Sequence, residues 1–467
     1  MSRNIRQEID FTTELCQNSL QFLHETIQGN DALHNYSASI NQLKQKVDTM
    51  SGGGYDQVHL VKINHIFWEI FEKSREIIRF YLAAGNYSRL VTPEIYKFMA
   101  SRLFKLKKTD AWRGKMKKTD GFKKEEKEAL QAMVYTMLAV YRQEVEGKTF
   151  NKSAAIGYFM MRILKKSYTW DAKPYNKKAL RDAVHNYDFY EMLYVIKESV
   201  RETNLLFISA IYDLADQFTD EDKKLFETTK AVVNQVEFNQ IKDSIFLEEQ
   251  DLTRNQVVSE WDRYGADKYV PNKLEALLER ISWGRNTVRW QGYAYVLDCN
   301  ILAHMLETAV FGWLMALEEN DTQKAERAFF VGLFHDLAEL WTDDIPSPCK
   351  DSIHDGSGCN IREITGDLER DALEEMFYTK LHPAVAAYFR QNIIFEDIQD
   401  KDFYRFMKKA DYFSADYELW WNFCEGSKET RFREIINDSA TLNRTPATQK
   451  VVEYMRDAIA PLVLLTP

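Results

Sequence analysis

The chain has 467 residues, of which 45% are hydrophobic and 28% charged, a balance typical of globular proteins. This length exceeds one typical domain, so two or three units are expected. The formal net charge of -10 at pH 7 argues against a protein that mainly coats nucleic acid, because such proteins need a basic surface. The five cysteines are scattered, which indicates neither a zinc ribbon nor a disulfide framework.

The first ten residues, MSRNIRQEID, lack the apolar core of a signal peptide. Apolar stretches such as LLFISAIYDLA are short and interrupted, which argues against a bilayer span. Unpaired cysteines favour a reducing compartment. We therefore expect a cytoplasmic protein without a membrane partner.

Helical patterns dominate the sequence. Only 9 prolines and 18 glycines interrupt it, and apolar residues recur at helical spacing. Two of the longest patterns, HIFWEIFEKSREIIRFYLAAG and EEKEALQAMVYTMLAVYRQEVEG, each end at a glycine, as helices often do. The sequence predicts an all-α fold, with a C-terminal helical bundle and a large N-terminal helical region.

Punctuation and texture divide the chain into three predicted segments. The SGGG stretch at 51–54 separates an N-terminal helical segment, 1–50, from a helical domain of unknown role, 55–265. A proline-marked entry near residue 266 begins a C-terminal domain, 266–467. We expect the first 265 residues to form an interaction or oligomerisation module, for a protein partner or a second copy of the chain.

A basic stretch with two KKTD sequences lies between 105 and 127. It is compatible with phosphate or nucleic-acid contact. A solvated loop or helix end is the favoured interpretation, so nucleic acid is not an expected partner.

The most informative segment is FFVGLFHDLAELW, whose length and apolar content predict a buried helix. His335 and Asp336 are adjacent there, and a buried ionisable pair needs partners to offset its desolvation. A metal ion is one such partner. Glu339 follows one helical turn later, where its carboxylate can transfer a proton without itself binding metal.

Two further residues extend this candidate site. His304 lies in NILAHMLETAVFGWLMALE, on a different side from the apolar stripe, so it is either exposed or directed into a cleft shared with His335. Asp411 precedes a helix with two adjacent tryptophans. Two imidazoles and two carboxylates can hold one octahedral divalent ion and leave two positions for water or substrate.

This order of residues resembles the HD superfamily of metal-dependent phosphohydrolases, and most closely its bacterial 5'-deoxynucleotidase type. In that type the His-Asp pair is followed by Glu and by T-x-D-[LI]-P-[TS]-P-x-K, which matches Thr342, Asp344, Ile345, Pro346, Ser347, Pro348 and Lys350. The family's Arg-Trp pair and Asn correspond to Arg289, Trp290 and Asn300. The resemblance covers roughly residues 270–440.

The resemblance implies a role for each matched residue. The implied ligands of one divalent ion (Mn, Co, Mg, Zn or Fe) are His304, His335, Asp336 and Asp411. The implied catalytic residues are Glu339, which would handle a proton, Arg289, which would orient the phosphate, and Asp336. Trp290 would pack on the sugar, and the nucleoside pocket would be lined by Asp344, Ile345, Pro346 and Ser347.

Two features depart from the family pattern. The residue before the first histidine, acidic in relatives, is Ala303. An insertion after Lys350 carries a second His-Asp pair, His354 and Asp355, in a Ser/Gly-rich stretch that does not resemble a buried helix. We therefore predict that this second pair does not bind metal.

The implied function is phosphate release from (deoxy)nucleoside 5'-monophosphates. The alternatives within the superfamily are dNTP triphosphohydrolysis and cleavage of a signalling nucleotide by a phosphodiesterase. A non-catalytic regulatory protein that keeps the HD unit as a scaffold is the alternative outside enzymology. The intact ligand set and Glu339 argue against that last interpretation.

Overall fold

The computed structural model describes residues 4–50, 53–83, 85–111, 122–169, 174–269, 272–290, 295–342, 361–427, 435–436 and 444–459. These residues form helices and no strands, which confirms the all-α prediction. Two isolated bridges, Asp110 with Lys123 and Val288 with Asn300, are the β-type pairings in this part of the chain.

The helices are listed here in chain order: α1 (Ile5–Gln28), α2 (Ser37–Met50), α3 (Gln57–Ala83), α4 (Pro93–Lys107), α5 (Lys124–Glu146), α6 (Lys152–Tyr168), α7 (Pro174–Ala183), α8 (Tyr187–Glu202), α9 (Leu205–Asp216), α10 (Asp220–Ile241), α11 (Leu247–Tyr264), α12 (Asn272–Ser282), α13 (Ile301–Glu318), α14 (Thr322–Gly332), α15 (Glu339–Thr342), α16 (Ile361–Ala372), α17 (Pro383–Asn392), α18 (Lys401–Cys424) and α19 (Pro446–Ile459). The glycine stops predicted for two helices lie where expected. Gly85 follows α3, and Gly147 caps α5 in a left-handed conformation, which glycine adopts without strain.

The chain forms two compact units. Unit 1 contains residues 1–90 and 160–217, and unit 2 contains residues 91–159 and 218–467. These units differ from the division predicted near residue 266, because residues 91–159 and 218–265 pack in the same unit as the C-terminal residues. Helix α5 explains the difference: its residues from Lys124 to Val140 are buried, except the partly exposed Lys127, so it needs neighbours on nearly every side.

In unit 1, helices α1, α2 and α9 pack against α3, and α8 contacts α1 and α9. The apolar faces meet in a core that includes Leu23, Phe67, Phe71 and Ile211. The hydroxyl groups of Ser74 on α3 and Ser209 on α9 form a hydrogen bond within this core.

Helix α13 is the centre of unit 2, and α4, α5, α14 and α18 pack against it. It is buried continuously from Ile301 to Leu317. Its length and composition would allow a membrane span, which we did not expect for any stretch of this sequence. However, 94% of the helix is buried inside the protein. That is the composition expected of a core helix enclosed on all sides.

The basic stretch near α4 and α5 is partly buried where it is described, and residues 112–121 lie outside the described residues. Lys107 at the end of α4 is 7% exposed, and Lys124 at the start of α5 is 5% exposed. Glu125 and Glu126 beside them are also buried. The Lys107 ammonium lies 4.0 Å from Oε2 of Glu125, and Oε1 of Glu126 accepts a hydrogen bond from the Asn300 side chain at 2.7 Å. Contacts of this kind offset the cost of burying charge.

Candidate metal centre

Three segments around α13 bring the predicted ligands together. His304 lies in the first turn of α13, where the Asn300 side chain caps the helix by accepting a hydrogen bond from the Ala303 amide at 3.1 Å. Asp411 lies midway along α18. His335 and Asp336 lie between α14 and α15. Since α13 packs against both α14 and α18, the three segments meet near one point.

The helix predicted through the His-Asp pair ends earlier than expected. Helix α14 stops at Gly332, and residues 333–338 continue as successive turns before α15. Nδ1 of His335 bonds the Gly332 carbonyl oxygen at 2.8 Å. In a regular helix that carbonyl would accept from the amide of residue 336, so the imidazole replaces a backbone partner and the helix ends. The predicted burial is confirmed, with His335 2% exposed.

Gly332 also sets how closely α14 approaches α13. A Cβ atom at this position would lie 2.7 Å from Cα of Ala309 and 2.8 Å from its nitrogen. Those distances are shorter than van der Waals contact, and the atoms met are backbone atoms that cannot rotate away. Glycine therefore allows α13 and α14 to approach closely, which brings His304 on α13 near His335, just after the end of α14.

The four predicted ligands converge in the structure. Nε2 of His304 lies 3.0 Å from Oδ1 of Asp411 and 3.6 Å from Oδ2 of Asp336. Nε2 of His335 lies 3.2 Å from Oδ2 of Asp336 and 3.7 Å from Oδ1 of Asp411. The exposed alternative for His304 is wrong, because its side chain is 0% exposed and directed at the cluster.

The outer nitrogens of both imidazoles are already occupied. Nδ1 of His335 bonds a backbone carbonyl, and Nδ1 of His304 lies 3.0 Å from the hydroxyl of Ser414. Nε2 of His335 is buried and makes no hydrogen bond of good geometry. Metal-binding histidines in proteins are commonly oriented in this way, by a hydrogen bond at the other nitrogen. The donor set therefore fits a divalent ion.

The charges of the cluster also favour binding of a cation. Burial alone would lower the pKa of His335, but Asp336 and Asp411 beside it raise the pKa to about 10. Burial lowers the pKa of His304, with a further contribution from the Arg289 charge. Lys408 and the histidines outweigh burial and hold the pKa of Asp411 well below its usual value. The two carboxylates are thus ionised and attract a cation.

Arg289 and Trp290 lie against this cluster, as the resemblance implied. Nη1 of Arg289 lies 3.0 Å from Oδ2 of Asp336, and Nε1 of Trp290 donates to Oε2 of Glu418 at 3.0 Å. Trp290 has a φ of 62°, in the left-handed region that costs a non-glycine residue about 1–2 kcal/mol. Strain of this kind is often found at functional sites.

The sequence did not single out three residues at this centre. Glu418 binds Trp290, Ser414 contacts His304, and Nζ of Lys408 lies 2.9 Å from Oδ2 of Asp411. All three share α18 with Asp411: Glu418 lies seven residues after it, Ser414 three residues after it and Lys408 three residues before it. Helical spacing from a predicted ligand was therefore the signal that could have identified them.

A second group of possible ligands lies behind His304 and contains Glu307 and Glu418. The Lys107 ammonium already lies there, 2.7 Å from Oε1 of Glu307 and 3.7 Å from Oε1 of Glu418. Burial raises the pKa of Glu307 to about 7 despite this lysine. A positive side chain thus occupies the place that a second metal ion would need.

Other predicted site residues have less structural description. Glu339 is the first residue of α15, and its amide bonds the Asp336 carbonyl at 3.1 Å. Ala303 is buried at the position where relatives carry an acid. The predicted nucleoside-pocket residues Asp344, Ile345, Pro346 and Ser347 lie outside the described residues, as does the second His-Asp pair, His354 and Asp355.

One comparison with known proteins found a match over this part of the chain. A family model described as 5'-deoxynucleotidase YfbR-like matches residues 276–462. No curated protein and no solved structure matches the chain. The matched range contains all four predicted ligands together with Arg289, Trp290 and Glu339, and it excludes α4 and α5. Residues 276–462 of the chain are therefore similar to the 5'-deoxynucleotidase YfbR-like family.

Proposed function

We propose that the C-terminal part of this protein hydrolyses deoxynucleoside 5'-monophosphates to nucleosides and inorganic phosphate. One divalent ion would be held by His304, His335, Asp336 and Asp411. The observation that carries the proposal is the convergence of two imidazole nitrogens and two carboxylate oxygens at 3.0–3.7 Å. The family match supports the reaction class.

A divalent ion bound there supplies two things, a water molecule of lowered pKa and a positive charge against a phosphoryl oxygen. The mixed nitrogen and oxygen donors suit Mn, Co, Zn or Fe, and Mg is acceptable if water completes its shell.

Arg289 is placed to bind the substrate phosphate. Its guanidinium lies beside Asp336, so its positive charge is located where an anionic phosphate approaches the metal ligands. The side chain is only 11% exposed, and charge-assisted hydrogen bonds are stronger when water is excluded. Trp290, its neighbour in sequence, offers an aromatic face to the sugar.

Glu339 is the proposed proton-transfer residue. Water adds to phosphorus, the bond between phosphorus and the 5'-oxygen breaks, and the leaving oxygen takes up a proton. A carboxyl group can deliver that proton after receiving one from the attacking water. Glu339 lies one turn after Asp336, and it is half-buried, which favours such a proton relay over simple solvation.

A product analysis tests this proposal. Full-length protein with Mn²⁺, Co²⁺ or Mg²⁺ is incubated with a panel of nucleoside monophosphates, dNTPs and cyclic nucleotides. Release of inorganic phosphate from dAMP or a related monophosphate is expected. Release of tripolyphosphate from dNTPs, or opening of a cyclic nucleotide, would instead identify one of the other HD activities.

The matched control for this assay is Asp336→Asn, which keeps the shape of the side chain and removes its charge. Loss of both metal binding and hydrolysis is expected. If no substrate in the panel is cleaved by the metal-loaded wild type, the non-catalytic scaffold interpretation is favoured. The assay thus separates the enzymatic interpretations from the non-catalytic scaffold interpretation.

A further inference from the structure

Glu418 contacts three residues of the proposed site through one oxygen. Its Oε2 accepts a hydrogen bond from Nε1 of Trp290 at 3.0 Å and lies 3.4 Å from Nε of Arg289. The same oxygen is 3.9 Å from Nδ1 of His304. The Glu418 side chain is 0% exposed, so water does not weaken these contacts.

Arg289 lies between two carboxylates, Asp336 and Glu418. Its Nη1 is 3.0 Å from Asp336, and its Nε faces Glu418 on the other side. Without Glu418, the Nε side of the guanidinium would lose the carboxylate that faces it. Glu418 therefore fixes the orientation of Arg289, while Nη1 of Arg289 keeps its bond to Asp336.

Two hydrogen bonds fix the backbone before Trp290. The amide of Arg289 bonds the Cys299 carbonyl at 2.8 Å, and the amide of Ile301 bonds the Thr287 carbonyl at 3.2 Å. These bonds hold the segment before Trp290 against the start of α13. Trp290 itself adopts a left-handed conformation, and its indole bond to Glu418 helps to hold the ring in place.

The charge of Glu418 is balanced from outside the family segment. Lys107, the last residue of α4, has its ammonium 3.7 Å from Oε1 of Glu418. The same ammonium is held by Glu307 at 2.7 Å and lies 4.0 Å from Oε2 of Glu125 on α5. Burial would raise the pKa of Glu418, but Lys107 and Arg289 hold it below its ordinary value.

We propose that Glu418 is a positioning residue that fixes Arg289 and Trp290 for the substrate, and that Lys107 of α4 supplies its counter-charge. This inference rests on the proposed function, in which Arg289 and Trp290 contact the nucleotide. It also assigns a role in the site to a helix that lies before the matched range of 276–462. The active centre is then completed by residues that the family model does not include.

The first test is Glu418→Gln in the full-length protein. This change keeps the size of the side chain and an acceptor for the indole, but it removes the charge that holds Arg289. The KM for dAMP should rise about tenfold or more, the usual loss when one carboxylate of a buried charge pair is neutralised. The kcat at saturating dAMP should change less, because Glu418 does not contact the reacting atoms.

Asp416→Asn is the matched control. Asp416 is a buried carboxylate on the same helix, and it forms an ion pair with Arg444. If burial of charge in α18 alone matters, both variants should raise KM equally, which would overturn the proposal. An unchanged KM in Glu418→Gln would overturn it as well.

Lys107 is tested by a pair of substitutions. Lys107→Met should raise the KM for dAMP in the same direction as Glu418→Gln, whereas Lys107→Arg, which keeps the positive charge, should recover most of the wild-type value. Equal KM values for the two substitutions would contradict the counter-charge role.

A binding measurement separates this inference from the proposed function. The Kd of dAMP is measured by calorimetry with Mn²⁺ present, whether or not turnover occurs. If the wild type binds dAMP without hydrolysing it, the proposed function fails, while a tenfold weaker Kd in Glu418→Gln still supports positioning. A wild type that does not bind dAMP overturns both.

Discussion

Gly332→Ala tests how the two histidines are brought together. The added methyl would lie 2.7 Å from Cα of Ala309, 2.8 Å from its nitrogen and 3.0 Å from the carbonyl carbon of Thr308. Because these are backbone atoms of α13, relief requires the helices to separate. Overpacking of this kind costs about 1–3 kcal/mol.

The assay is thermal unfolding, followed by Mn²⁺ titration of the folded protein. A loss of about 1–3 kcal/mol corresponds to a melting temperature lower by roughly 2–10 °C for a unit of this size. Separation of α13 from α14 also moves His304 away from His335, so Mn²⁺ affinity should fall about tenfold or more, as for other changes that misplace ligands.

Gly366→Ala provides the control, because Gly366 lies within α16 with nothing within 4 Å of the added methyl. That substitution should leave Mn²⁺ affinity unchanged and raise stability by up to about 1 kcal/mol, since alanine favours the helix. A Gly332→Ala protein with wild-type stability and wild-type Mn²⁺ affinity would refute the close-approach argument.

Three further predictions concern charge and metal. The pKa of His335 is raised from 6.5 to about 10 by the two neighbouring carboxylates. Protonation of this imidazole therefore stabilises the metal-free protein, fully at pH values below 6.5, and the stabilisation is lost as pH rises toward 10. Mn²⁺ must displace that proton, so calorimetry at pH 6 and pH 8 should show weaker binding at pH 6. Burial raises the pKa of Glu307 from 4.5 to about 7, so its ionisation lowers stability as pH rises through that range, and Glu307→Gln should flatten this part of the urea-unfolding profile. Chelator treatment should lower the melting temperature, and Mn²⁺ at about 100 times its Kd should restore about 2.7 kcal/mol; no change on chelation would contradict a bound metal.

The sequence was sufficient to predict the first layer of the centre. His335 and Asp336 are charged residues in an apolar pattern, and that mismatch indicates a partner wherever the segment is buried. His304 and Asp411 follow from the same reasoning once the family order is seen. The all-α fold follows from helical periodicity, which depends on local sequence alone.

The surrounding layer was not predictable in the same way. Glu418 lies in DYELWW, where an acidic residue is typical of a solvated helix face, and its burial depends on Lys107 from a distant helix. The early end of α14 depends on a side-chain bond from His335 to the Gly332 carbonyl, which leaves no periodic signature. Both features arise from tertiary contacts rather than from local preference.

The division of the chain into these two units was also not predictable from the sequence, for a physical reason. Residues 91–159 precede the family segment, and helices α4 and α5 within them look like ordinary amphipathic helices. Their buried ionisable groups pair across to α13: Glu126 accepts from the Asn300 side chain at 2.7 Å, and Lys107 contacts Glu307. Such pairs bind the segments into one unit, and sequence order gives no indication of them.

The metal-dependent hydrolysis is tested most directly by a titration of Mn²⁺ into chelator-treated full-length protein while phosphate release from dAMP is followed. We expect activity to rise and to reach its plateau at one equivalent of Mn²⁺ per chain, and Asp411→Ala to show neither binding nor release at that concentration. Phosphate release that is independent of added metal, or full activity in Asp411→Ala, would contradict a catalytic metal ion held by these residues.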